Sequence, residues 1–433
     1  MTEHLNNFSA VTTDAVLRAK ELCGSPLYLY DGALLAAKCR AALAMPNAFG
    51  IRVRYAMKAN PNRAILRIVA GEGLLIDASS LNEVRRAKLA GIDYDRMILT
   101  TQEVPEGDDR AELERMMQSG LLYNACSLRQ LERIGDFAAR NGIRLSMRIH
   151  PGIGSGESPS RNTGDHYSCF GVHLDDLPAA LRFAEERGIV FSHVHSHIGS
   201  GGDPEIWRLN IGLQLGITER FFPDADTVSF GGGLREARMP DETAADIEEL
   251  GNHAKTLMED FCRRTGRKLV MEIEPGTFIA ANCGYVVTTV MDLKSTGGGG
   301  YNFVIADGGM EMNVRPLLYG SRHPFYVIGR DGALLSSEFG GGRDWEAAVA
   351  GKCCESGDCQ TITADGVSYA HKLARPSPGD TLVIGGAGAY CSAMAPMNYN
   401  SHAEAPEVLL APDGELRLIR RRQTIEQMTE NEI

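Results

Sequence analysis

From residue 52 onward the chain alternates short apolar runs with longer amphipathic stretches, and each run closes on polar residues or glycine. The strand-like runs fall at 52–57, 74–76, 97–99, 121–123, 145–149, 193–198, 227–230 and 268–273. Stretches with helical spacing separate them, at 80–90, 108–119, 128–141, 177–187, 207–222 and 241–265. Eight such units in this order predict a (β/α)8 barrel of the TIM type. A doubly wound open sheet is the competing architecture, but its first strand normally runs into a glycine-rich turn. Here the first run, VRYAMKANPN, ends on Lys58 and enters an Asn-Pro turn.

After Glu274 the pattern changes. Runs rich in Val, Thr and Gly at 285–290, 301–306, 323–328, 361–363, 381–384 and 407–410 predict an all-β domain with little helix. An early strand at 26–31, followed by a helix at 32–44, is expected to join it. The expected organisation is an N-terminal segment (1–34) completing the β domain, a barrel (35–284) and a C-terminal β domain (285–433). Gly297 to Gly300 reads as a turn between strands, and the charged tail from Arg420 as a segment that frays.

The composition narrows the partners. The 433 residues are 43% hydrophobic and 23% charged, so a sizeable core is available. A net charge of -12 argues against nucleic acid or an anionic membrane surface as the general partner. No basic-then-apolar leader opens the sequence, and no apolar run is long enough to span a bilayer. Ten cysteines scattered through the chain fit reduced thiols in a cytoplasmic protein. Cys353, Cys354 and Cys359 cluster, but without the paired spacing of a zinc knuckle, so no metal is expected.

In a barrel of this kind the chemistry sits at the carboxyl ends of the strands. Those ends carry Lys58, Asp77-Ala78-Ser79, Thr100-Thr101, Asn124, His150, His195 and His197, Gly231-Gly232-Gly233, and Glu274. A lysine at the end of a buried strand is a candidate for bonding an aldehyde, because burial favours the neutral amine. The glycine triplet lets backbone approach an anion closely, and Ser200 in Gly199-Ser200-Gly201 could add a hydroxyl. His193, His195 and His197 alternate and are expected to share one face of the sixth strand. They could be metal ligands, with Asp77 and His150 as further donors, or His197 could stack on a flat ring. The absence of a histidine pair on the first strand favours stacking. Glu274 in the barrel mouth needs a cationic partner, such as a pyridinium N–H. A lysine for an imine, an anion cradle, a flat ring and a carboxylate together match pyridoxal 5'-phosphate.

With these residues the sequence resembles the fold-type III pyridoxal-phosphate amino-acid decarboxylases, most closely the diaminopimelate branch. The resemblance runs from Pro26 to about Leu410. It rests on YAMKAN (55–60), DASS (77–80), HSHIGSG (195–201), GGG (231–233), EPG (274–276), RPLLYGSRH (315–323), CESGD (354–358), GAY (388–390) and NYN (398–400). It implies a lyase in which Lys58 carries the cofactor and His197 stacks on the ring. Asp77 belongs to the same cofactor site. Ser200, Gly231, Gly232, Gly233 and Tyr390 would hold the phosphate, and Glu274 the ring nitrogen. Arg315, Tyr319 and Tyr390 would bind the substrate, with Glu355 on its distal amino group. Cys354 would be catalytic, and Cys354 and Glu355 would enter from a second subunit, so the family implies a homodimer with shared sites. The expected reaction is decarboxylation of meso-diaminopimelate to L-lysine, a step of lysine biosynthesis. Decarboxylation of ornithine, lysine or arginine is the rival within this chemistry. A non-catalytic cofactor-binding or regulatory homologue is the rival of another class, and a metal-dependent barrel hydrolase a third. Three departures stand out: Thr277 where an arginine usually follows EPG, Cys169 where a lysine is common, and His402-Ala403-Glu404 where Arg-Pro-Arg is frequent.

Overall fold

A computed structural model describes residues 3–156, 161–200 and 202–433. The chain divides into two compact units. One comprises Cys39–Glu236 and Ala244–Ile279; the other comprises the chain up to Lys38, Ala237–Thr243 and Ala280–Ile433.

The first unit is a closed parallel barrel. Its strands are Ile51–Ala56, Leu75–Ala78, Met97–Thr100, Leu122–Ala125, Leu145–His150, Phe191–His195, Thr227–Ser229 and Val270–Ile273. Each pairs in parallel with its neighbours, and Val270–Ile273 returns to Ile51–Ala56 to close the ring. All eight runs expected from the sequence are present, shifted by up to three residues at their ends. Helices start where short polar side chains cap them: Ser80, Ser127 and Asp203 each accept a bond from a first-turn amide. The helix expected at 241–265 begins instead at Ile247, because Asp246 accepts the amides of Glu248 and Glu249 and makes the N-terminus there.

The sixth barrel strand also differs from the sequence reading. It ends at His195, so the three alternating histidines do not share one strand face. Beyond it the backbone serves loops: the carbonyl of Ile198 accepts the amides of Ser155 (2.9 Å) and Thr163 (3.3 Å). His193 and His195 point into the barrel, whereas His197 lies past the strand.

The second unit is a ten-stranded sheet assembly. The early strand, Leu27–Asp31, lies between Gly284–Ser295 (antiparallel) and Glu407–Leu410 (parallel), as expected. Its side chains are buried throughout and pack with Tyr285, Val287, Tyr326 and Val408. Residues 361–363 are not a strand; only Ile362 makes an isolated bridge, to Ser368. Strands at Leu334–Ser337, Trp345–Ala350, His371–Leu373 and Leu416–Arg420, and helices at Thr13–Cys23, Arg315–Tyr319 and Ile425–Thr429, were not expected. The tail is held by a capping box in which Thr424 and Gln427 bond reciprocally.

The barrel interior contains a buried ion pair, Arg54 Nε to Glu272 Oε2 at 2.8 Å. Burial pushes the Glu272 carboxyl up, but Arg54 and His193 outweigh it and hold the pKa at about 2. A carboxyl depressed from 4.5 to about 2 contributes stability that is full above pH 4.5 and is lost as pH falls towards 2. Replacing Glu272 by Leu leaves Arg54 buried and uncompensated. The variant is expected to lose about 3–5 kcal/mol by urea unfolding at pH 7. Replacing Arg54 by Leu as well should restore much of that loss. An unchanged midpoint for Glu272→Leu would mean the pair contributes nothing.

Candidate active site

Lys58 lies in a single 3-10 turn, Met57–Ala59, directly after the first barrel strand. The turn is fixed from behind. The Ala56 amide reaches the Pro275 carbonyl (3.4 Å), and the Tyr55 hydroxyl reaches the Asn60 carbonyl (3.3 Å). Asn60 accepts the Asn62 amide (3.1 Å), and Asn62 caps the next helix. Lys58 is exposed, not buried as the sequence reading expected. Its charge acts instead on the groups around it. It lowers the pKa values of Asp77 and Glu274 and disfavours a charged His197. These four expected residues therefore share one electrostatic environment in the barrel.

The glycine triplet is required by close approach. A β-carbon on Gly231 would lie 2.4 Å from the Ser196 carbonyl, and one on Gly232 would lie 2.7 Å from the Glu274 carbonyl. On Gly233 it would lie 3.0 Å from the Gly199 carbonyl, which brings the loop bearing Ser200 beside the triplet. Gly231 and Gly233 also have positive φ, +69° and +96°. Two of the amides are engaged within the protein: Gly232 donates to His197 Nδ1 (3.0 Å) and Gly231 to the Ser229 hydroxyl (3.3 Å). The triplet thus positions the His197 ring as well as letting backbone come close. Burial first, then Lys58 and Arg148, push the His197 pKa well down, leaving a neutral flat ring with its proton on Nε2. The Ser200 amide bonds the Arg161 carbonyl (3.1 Å); Gly201 lies outside the described residues.

Glu274 is 6% exposed and its two oxygens are bonded to His195 Nε2 (2.9 Å) and the Ser229 hydroxyl (3.1 Å). Burial and the charge of Glu272 push its pKa up, while His193, Lys58 and Arg54 pull it down. Asp77 is raised to about 6 by burial and by Glu274, and its Oδ1 has no hydrogen-bond partner among the described residues. Sequence reading missed Ser229, which donates to Glu274 (3.1 Å), and the 3.1 Å bond from Asn124 to His195, the other partner of Glu274. The signal was available as polar residues at alternate, inward positions of otherwise apolar strands. His150, a metal-ligand candidate, bonds the Ser168 carbonyl instead (3.1 Å).

The remaining expected residues belong to the second unit, where they form two groups. Arg315, 1% exposed, lies with its guanidinium carbon 5.7 Å from the Tyr319 ring and 6.0 Å from the Tyr390 ring. Tyr390 holds a left-handed backbone (φ 58°). Arg238, a buried cation not singled out from sequence, bonds the Gly386 carbonyl (3.0 Å). Burial, Arg238 and Arg315 together push the His323 pKa well down. In the other group Cys354 and Glu355 are exposed. The Cys354 amide donates to Asn400 Oδ1 (2.7 Å), and the Tyr399 hydroxyl donates to Glu355 (3.4 Å). Glu355 is held below the usual carboxylate range by the Gly357 amide and by Ser356. Asn313 ties the segments together: it accepts from Cys391 Sγ (3.3 Å) and exchanges bonds with Gln360 (3.0 Å each). Glu311, Cys353 and Asp358 offer metal-ligand atoms within 4.8 Å of one another. Asp358, however, already accepts the amides of Met310 (2.6 Å) and Cys353 (2.7 Å), which makes it a loop clasp.

An Asp77 carboxyl raised from 3.8 to about 6 means that folding favours its proton. Stability is unaffected below pH 3.8 and falls as pH rises through 6. Asp77→Asn is therefore expected to raise the stability of the cofactor-free protein at pH 7 by about 2–3 kcal/mol, and to leave it unchanged at pH 3.5. Equal shifts at both pH values would remove the electrostatic explanation.

The residues fit pyridoxal phosphate: an exposed lysine past the first strand, a glycine triplet against close backbone, a neutral ring bonded to it, and buried carboxylates on which the lysine's charge acts. The comparisons agree. The model of the pyridoxal-dependent decarboxylase family, pyridoxal binding domain, matches residues 35–281. Diaminopimelate decarboxylase of Escherichia coli K12 is 34% identical over 422 residues, covering 96% of each chain. A crystal structure of a diaminopimelate decarboxylase superposes with a TM-score of 0.86 at 33% identity, over 97% of this chain and 96% of that one. The Helicobacter pylori diaminopimelate decarboxylase, solved with L-lysine, superposes at 0.79 and 26% identity, over 96% of this chain and 98% of that one. On this evidence the chain belongs to the pyridoxal-phosphate-dependent decarboxylases and, across nearly its full length, to their diaminopimelate decarboxylase family.

Proposed function

We propose that the protein releases carbon dioxide from meso-diaminopimelate to give L-lysine, using Lys58, Glu274 and the barrel-mouth glycines on the cofactor. The observation that carries the reading is the joint environment of Lys58, Asp77, His197 and Glu274. Bound pyridoxal phosphate supplies an electron sink for the pair left on Cα when carbon dioxide departs. The chain's own residues do the rest. Lys58 carries the cofactor through its amine. Glu274, ionised, holds a proton on the ring nitrogen. His197 covers one ring face, while Ser200, Gly231, Gly232, Gly233 and Tyr390 receive the phosphate, and Asp77 faces the same site. Arg315 offers the distal carboxylate a two-pronged contact that monocarboxylate substrates such as ornithine cannot use. Tyr319 stacks beside it, and the ionised Glu355 suits an ammonium. Cys354 or Lys58 returns the proton to Cα.

Thr277, 5% exposed, opens a short helix where relatives commonly have arginine, so carboxylate and phosphate recognition falls to Arg315 and backbone. The L-lysine in the Helicobacter pylori relative supports the product. We infer a homodimer with shared sites, because Cys354 and Glu355 are exposed and resemble a segment that crosses between subunits in this family. A cytoplasmic setting fits ten cysteines without a disulfide. No helix among the described residues is long and apolar enough to cross a membrane.

Purified protein should absorb visible light, and borohydride should fix the cofactor onto Lys58 irreversibly. It should release carbon dioxide from meso-diaminopimelate and at most slowly from lysine, ornithine or arginine. Arg315→Lys should depress turnover of the first more than of the others. A colourless protein that takes up no pyridoxal phosphate would refute the reading. Equal losses on all substrates would take Arg315 out of substrate choice.

Subunit sharing has its own test. Lys58→Ala and Cys354→Ala should each be severely impaired. After subunit exchange about half the dimers are mixed, and one site in each is intact, so activity should return to roughly a quarter of the parent's. No recovery despite proven exchange would show that each chain serves its own site.

A further inference from the structure

Behind Glu274 an unbroken line of buried polar groups runs down the barrel interior. His195 Nε2 lies 2.9 Å from Glu274, and His195 Nδ1 lies 3.1 Å from Asn124 Nδ2. Asn124 Oδ1 is 2.8 Å from the Ser146 hydroxyl, which is 2.6 Å from His193 Nδ1. His193 Nε2 is 2.8 Å from Glu272, which is paired with Arg54 at 2.8 Å. None of these side chains is more than 6% exposed. No role in the proposed reaction uses Asn124, Ser146 or His193.

Proton accounting fixes the direction of the line. The Asn124 amide nitrogen also lies 3.1 Å from the Thr100 hydroxyl, so its two hydrogens face Thr100 and His195 Nδ1. A flipped amide would turn its oxygen towards His195 Nδ1. The ring proton of a neutral His195 would then sit on Nδ1, and a bare Nε2 would face the Glu274 carboxylate. With Asn124 as found, His195 Nδ1 accepts, so Nε2 carries the proton and donates to Glu274. Asn124 Oδ1 must then receive the one proton of Ser146. Ser146 can no longer donate to His193, so His193 Nδ1 donates to it. His193 Nε2 faces a carboxylate and donates as well. Every group is satisfied only if His193 carries two protons.

We propose that His193 is a buried imidazolium, and that Ser146, Asn124 and His195 form a one-way hydrogen-bond relay from it which presents an N–H to Glu274 and keeps that carboxylate charged. His193, Ser146, Asn124 and His195 are positioning residues. The charges along the line alternate and cancel: Glu274 negative, His193 positive, Glu272 negative, Arg54 positive. The neutral relay between them lets one charge support another without water. This rests on the reading of Glu274 as the ring-nitrogen partner only for its consequence in catalysis. The relay itself is a property of the chain.

The other charged or titratable groups facing Glu274 are Asp77, Lys58, Cys126, Glu272, His193 and Arg54. Asn124 carries no charge, so removing its side-chain donor leaves all of these in place. Nitrogen-15 spectra of histidine-labelled full-length protein, assigned with His195→Gln and His193→Gln, read the protons directly. His195 should be protonated on Nε2 alone and His193 on both nitrogens at pH 7. In Asn124→Leu the His195 preference should be lost, and the acid limb of kcat/KM should move up by about one pH unit, since Glu274 loses a donor to its charged form. A merely structural Asn124 would lower kcat at every pH without moving the limb. Ser146→Ala cuts the same relay and serves if Asn124→Leu does not fold. His195 protonated on Nδ1, a neutral His193, or an unmoved acid limb in a folded relay variant would each overturn the proposal. A protein that passes the nitrogen test yet binds no pyridoxal phosphate would keep the relay and lose the function.

Discussion

The barrel buries three carboxylates, and the rest of the site follows from how their charge is met. Glu272, Glu274 and Asp77 are all buried, and burial pushes the pKa of each of them up. They end in three different conditions because their partners differ. Glu272 touches a guanidinium directly and stays ionised far into acid. Glu274 has only neutral donors, His195 and Ser229, with cations further off, and its pKa is raised. Asp77 has an oxygen without a hydrogen-bond partner and is pushed up to about 6, within reach of neutrality. Closed strand pairing makes this possible: the backbone polar groups are consumed around the ring, so inward side chains must satisfy one another.

The mouth of the barrel answers a second constraint, closeness. Gly231 and Gly232 pass against the backbone of Ser196 and Glu274 at distances that exclude a β-carbon, and Gly233 lies tight against Gly199 with a positive φ. The same triplet donates an amide to His197, so a single glycine run sets both the ring and the space beside it. Lys58 is exposed just past the first barrel strand, whereas Glu274, His195 and Ser229 are buried and hydrogen-bonded to one another.

Much of this was legible in the sequence. Alternating apolar runs revealed eight strands because a parallel strand is buried on both sides and cannot hide its composition. The β unit was read less completely. Trp345–Ala350, WEAAVA, carries alanines that suit a helix equally, and it is a strand because Asn302–Ala306 and His371–Leu373 lie on either side of it. The histidines were misread for a related reason. Period two persists from His193 to His197, but the strand stops when its ladder partners run out, and periodicity carries no information about partners.

The site was legible where one residue type implies one chemistry, as with Lys58 or a glycine triplet. It was illegible where function is distributed over neighbours from different strands. Glu274 could be named from the sequence, but the line of groups behind it could not: His195, Asn124, Ser146 and His193 come from three strands. His193, His195 and Asn124 stood out in the sequence, but only as strand-end polar groups or metal ligands, and Ser146 did not stand out at all. Only the distances between them order the donors, and only the order shows that the charge state of one carboxylate depends on a histidine that does not touch it.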